Sequence, residues 1–192
     1  RSNEGSRSPP QVTIETTEPD APSPEELARA NVARLREAWK ANPEDARTCN
    51  ALAWELVAGP PSARRPEEAV ELAEKAVGLG PENANWRNTL GVAYYRAGRY
   101  REAADCLTAN LSKQSDASLE YDLYFLAMSQ YHLGNKDSAR GYLRLANRWL
   151  DSQTTNVDEK LTAFRTEAER LIRDDEAQSR SDDKSQSRSD GI

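Results

Sequence analysis

A proline-led motif recurs along this chain, and it restricts the fold more than any other feature. Asn42-Pro43-Glu44 returns 38 positions later as Gly80-Pro81-Glu82. Three residues past each proline stands an alanine, Ala46 or Ala84, that opens an apolar-periodic stretch. Proline ends one helix and suits the start of the next segment, because its ring fixes φ and it lacks an N–H. An internal period of this size predicts stacked helical hairpins, each too small to bury its own apolar face.

The stretch after Pro81 shows how one hairpin is built. Leu90 and Tyr94, then Ala103 and Leu107, lie four residues apart, so each predicted helix carries one apolar face. Gly91 is small where a neighbouring helix must come close. Gly98 sits between the two helices, where the chain needs a left-handed residue to turn.

The segment WRNTLGVAYYRAGRYREAADCLTANL resembles a tetratricopeptide repeat, whose pattern runs Trp, Leu-Gly, Tyr, Ala, Leu or an aromatic, Ala and Pro over about 34 residues. Leu90, Gly91, Tyr94, Gly98, Ala103 and Leu107 fall on that pattern, and Pro81 closes the preceding unit. Arg87 stands at the usual Trp position, with Trp86 one place early, and Asn110 replaces an alanine. The unit before uses Cys49, Leu52-Ala53, Leu56, Ala69, Ala73 and Ala76, with four extra residues in the turn GPPSARRP. The unit after uses Leu123, Leu126-Ala127, Gly134, Ala139, Leu143 and Ala146, with Gln130 where Tyr is expected.

The resemblance implies an all-α, right-handed solenoid of antiparallel helix pairs over residues 24–173, with about three units and flanking cap helices. The caps are read at PEELARANVARLREAWKANP and at 157–173, where Leu161, Phe164, Ala168 and Leu171 share a face. Residues 1–23, rich in Ser, Pro, Thr and Glu, read as a disordered linker. Residues 174–192, which repeat QSRSD, read as a disordered tail. The order of the units is also similar to C-terminal repeat regions of large bacterial signalling proteins. Several of those carry a serine/threonine kinase or propeller domain upstream, which makes a regulatory or scaffolding region of such a protein the alternative reading. The chain opens on Arg1, so a missing upstream part is expected.

Composition narrows the function. A net charge of −6 over 192 residues, with Arg64-Arg65 the one adjacent basic pair, argues against nucleic-acid binding. No apolar run approaches the roughly 18 residues that span a bilayer. Cys49 and Cys106 fall inside helical patterns as small apolar fillers and point to a reduced, cytoplasmic setting. Two cysteines and the lone His132 supply neither a metal site nor a catalytic triad, and no phosphate-binding glycine motif occurs. No catalytic residue, metal or cofactor is therefore expected. The expectation is a non-catalytic protein-interaction module, acting as a monomer.

In repeats of this kind the first helix of each unit lines the concave side. The resemblance implies a partner-binding lining of Arg47, Asn50 and Trp54, then Asn85, Asn88, Tyr95 and Arg96, then Tyr121, Tyr124, Met128 and Tyr131. Aromatic anchors mixed with amide and guanidinium donors are what binding surfaces favour. Repeats that grip acidic C-terminal tails carry a basic clamp, whereas the corresponding positions here hold Asn50, Trp54, Tyr121 and Phe125. The expected ligand is a protein segment with apolar side chains.

Overall fold

The computed structural model describes residues 22–112, 119–153 and 158–173. Eight α-helices account for nearly all of them, with no strand among the described residues. The expected tails at 1–23 and 174–192 lie outside the described residues, apart from Pro22 and Ser23.

Helix α1 (Pro24–Ala41) begins with a capping box. Ser23 accepts from the Glu26 backbone N–H, and the Glu26 carboxylate receives the Ser23 N–H. The capping residue Ser23 is the last residue of the stretch read as a linker, and the helix itself opens at Pro24. Helix α2 (Ala46–Ala58) is capped by Asp45 and α4 (Ala84–Arg96) by Asn83, the residues just ahead of Ala46 and Ala84 in the two proline motifs. Between α2 and α3 (Pro66–Leu79) the inserted turn folds into one 3₁₀ turn at Pro61–Ala63, so Gly59 keeps an ordinary φ of −70°. The later hairpins turn on glycine instead. Gly98 has φ 74° before α5 (Tyr100–Ser112), and Gly134 has φ 81° between α6 (Leu119–His132) and α7 (Lys136–Asp151). Helix α8 covers 159–173.

Helices α2–α3, α4–α5 and α6–α7 pair as hairpins, and each hairpin stacks on the next through α3–α4 and α5–α6. The first helices also meet one another, α2 with α4 and α4 with α6. That row of first helices is the inner side of the solenoid. The core follows the repeat, with Leu52, Leu56, Leu90, Ala103, Leu107, Leu126, Ala139 and Ala146 all buried. Burying each leucine is worth about 1.5–3 kcal/mol. A Cβ on Gly91 would lie 2.4 Å from Leu107 Cδ2, so the α4–α5 crossing requires a glycine there. Tyr94 is only half-buried, its hydroxyl donating to Glu74 at 2.8 Å.

Helix α1 closes the first hairpin by packing on α2 and the 3₁₀ turn. Helix α8 touches α7 but does more than cap the end, because it lies along the inner row. Its buried seam is Leu161, Phe164, Ala168 and Ile172, with Ile172 taking the place expected for Leu171.

Candidate functional site

The inner face is built from one side of α2, α4 and α6. On α2, Arg47 is exposed, and Asn50 and Trp54 are half-buried; on α4, Asn85 is exposed. Tyr121 at the start of α6 is half-buried, with its ring 5.5 Å from Trp54 and nearly perpendicular to it. These side chains frame an open recess of about 270 Å³, bounded by Asn50, Trp54, Asn85, Asn88, Thr89, Tyr121 and Asp158. Asn50 Oδ1 is enclosed there without a hydrogen-bond partner.

Helix α8 covers the adjoining part of the face. Phe164 is 1% exposed and sits among Trp54, Tyr121 and Phe125, with ring centroids 6.2, 6.0 and 4.8 Å away, all close to edge-on. Arg96, its side chain 6% exposed, meets Glu167 in a bidentate ion pair and lies 5.1 Å from the Phe125 ring centre. Lys160 reaches Glu55 at 3.2 Å, and Tyr121 donates to Asp158 at 2.6 Å.

Several residues assigned to the groove from sequence are core, which corrects that assignment. Tyr124 and Met128 are 0% exposed. Tyr124 donates to Asn147 on α7, whose amide is tied to Glu169 on α8. The reason is that α6 is covered from both sides: residues 122–129 are all buried. Tyr95 is 8% exposed and packs edge-on to Phe125 and beside Tyr100 and His132. Tyr131 is half-buried against His132, beyond the end of the recess. Asn88 keeps its place on the wall of the recess, although it is only 3% exposed and donates to Asp122 at 2.7 Å.

That last contact belongs to a network the sequence reading missed. Asp122, 2% exposed, accepts from Asn88 and Asn110, and Asn110 accepts from Arg87 at 3.1 Å. Burial, opposed by the two amide bonds and by Arg87 and reinforced by Glu120, pushes the Asp122 carboxyl up to about 7. The native state thus holds, between pH ~4 and ~7, a proton that the unfolded chain releases, and stability falls as pH rises across this window. Asp122→Asn reproduces the protonated arrangement. Its thermal midpoint is expected to exceed the wild type's at pH 8 by a few degrees, with the difference closing by pH 4. Melting both proteins at pH 4 to 8 checks this, and parallel curves would refute it.

The site offers no activated nucleophile among the described residues. Burial raises both thiols, Cys106 to about 11, and Tyr124 is pushed up to about 12 by burial. His132 stacks on Tyr100 at 4.1 Å, and burial lowers its pKa. Among the described residues, no group of three His, Cys, Asp or Glu is placed to hold a metal, and no helix is long and apolar enough to cross a membrane.

Residues 63–146 match the family described as anaphase-promoting complex, cyclosome, subunit 3. No curated protein matches the chain. Among solved structures, MamA AMB-1 is similar with a TM-score of 0.54 at 22% identity, over 67% of this chain and 73% of that one. A second MamA crystal structure aligns with a TM-score of 0.49 at 16% identity, over 80% and 91%. The family match and the MamA AMB-1 likeness agree with the geometry in one respect, the fold: a solenoid of tetratricopeptide-type hairpins.

Proposed function

We propose that this tetratricopeptide-type solenoid is a non-catalytic interaction module, acting as a monomer, that receives an apolar segment of a partner protein on its inner face. The observation that carries the reading is the recess beside Asp158. It joins a half-buried indole and phenol ring, Trp54 and Tyr121, to side-chain amides of Asn50 and Asn85. Aromatic rings supply contact area at little entropic cost, and amides can pair with the backbone of a bound segment. Asn50 Oδ1 has no hydrogen-bond partner, so turning this half-buried amide towards the recess offers an acceptor at no loss of an existing bond to that oxygen. Arg47 extends the same edge, exposed to solvent.

Placing a photo-crosslinking residue at Asn85, on the recess, or at Asp105, exposed on the outer helix α5, tests the assignment in the full chain. Partner adducts are expected from position 85 and not from 105. Asn50→Ala combined with Asn85→Ala is expected to lower capture about tenfold or more, since each lost hydrogen bond is worth about 1 kcal/mol. Equal adducts from both positions, or undiminished capture by the double variant, would sink the reading.

A further inference from the structure

The position of α8 is not that of a fourth unit. In a stacked solenoid each unit touches its neighbours only. A helix following α7 in that series would meet α6 and α7 alone. Helix α8 meets both and reaches further: Lys160 pairs with Glu55 on α2, 105 residues away, Glu167 pairs with Arg96 on α4, 71 residues away, and Phe164 fills a box made by α2 and α6. The contacts have the anatomy of an interface between two molecules: a buried aromatic anchor at the centre, an arginine beside it and ion pairs around it.

We infer that α8 is the resident ligand of the inner face, and that the partner which displaces it is an amphipathic helix of the same chemistry. That helix carries a cation, an aromatic ring four residues later and a carboxylate three residues after that, as Lys160, Phe164 and Glu167 do. The inference rests on the interaction-module reading and adds to it the form of the ligand. Each feature of the pattern has its counterpart on the inner face. Glu55 takes the cation, Trp54, Tyr121 and Phe125 take the ring, and Arg96 takes the carboxylate. Because α7 ends at Asp151 and α8 begins at 159, the tether is short, and α8 competes at an effective concentration in the millimolar range. An external helix is therefore shut out until α8 loosens.

The test uses the full chain and a labelled synthetic peptide of residues 157–173. A chain loosened by Lys160→Ala, Phe164→Ala and Glu167→Ala is expected to bind the peptide at least tenfold more tightly than the wild-type chain does. Its far-UV signal should lose no more than the share of one helix. A peptide with Glu167→Arg is expected not to bind the loosened chain, and to bind again when Arg96→Glu is added. Equal binding to wild-type and loosened chains overturns the inference, as does no binding while the other helices persist. Collapse of the whole fold in the loosened chain also overturns it, since α8 would then be part of the scaffold. Crosslinking at Asn85 is independent of these outcomes, so the recess can hold a partner even where the helix pattern fails.

Discussion

Phe164→Ala is expected to free α8 while leaving the three hairpins folded. Truncating a fully buried phenylalanine costs about 3–5 kcal/mol, from lost transfer energy and from the cavity left behind. Here the cavity opens among Trp54, Tyr121 and Phe125, which belong to two rigid helices and cannot close on it easily. A helix at the end of a chain has another course: it can leave. The cost is then limited to the docking free energy of α8, and the loss appears as local opening rather than as a lower global stability. Native-state hydrogen exchange is the measurement. Amides of 161–173 are expected to exchange at least about a hundredfold faster, with those of α2 to α5 changed far less. A uniform acceleration along the chain would mean that α8 and the hairpins unfold as one unit.

The hairpins could be read from the chain because their determinants are local. Gly98 and Gly134, 36 positions apart, both take the left-handed turn, and Gly91 meets Leu107 as a small residue at a close crossing must. These are contacts within one unit or between neighbouring units, where spacing in sequence maps onto spacing in the structure. The first hairpin departs from the glycine turn only where four residues are inserted, and the 3₁₀ turn at Pro61–Ala63 absorbs them.

What escaped the sequence depends on partners far apart in it. Arg87 and Asn110 read as departures from the repeat pattern, yet they pair with each other and, through Asn110, with Asp122. A polar residue on an apolar face looks like a defect until the second one is brought opposite it. Tyr95, Tyr124 and Met128 are core for a related reason, since their neighbours come from other helices: Tyr95 packs on Phe125, Tyr100 and His132, and Tyr124 donates to Asn147 on α7. One signal of this was present: α6, LEYDLYFLAMSQYH, is apolar nearly all round, and such a helix needs a neighbour on every side. The α8 seam itself serves an end cap or an inner-face ligand equally well. The choice between them rests on Glu55 and Arg96, which no local pattern connects to Lys160 and Glu167.

The pair that orients α8 should reveal itself through an asymmetry between single and double substitutions. The Arg96 side chain is 6% exposed and lies among the rings of Tyr95, Phe125 and Phe164, and Glu167→Ala takes away its carboxylate. While α8 stays docked, stranding a buried charge costs about 3–5 kcal/mol, more than the intact pair contributes, and this is felt as weaker docking of α8 up to its whole docking free energy. Arg96→Met together with Glu167→Leu removes both charges and keeps apolar volume, so the double variant is expected within about 1 kcal/mol of wild type. Lys160→Met, by contrast, breaks a partly exposed pair, and an effect under about 1 kcal/mol is expected. Exchange protection of α8 in the four proteins gives these differences directly. Glu167→Ala and Lys160→Met costing the same would show that Arg96 is hydrated in solution. The expected order would instead make the Arg96–Glu167 pair a device of selectivity, penalising any helix that arrives without a carboxylate more than it rewards the one that brings it.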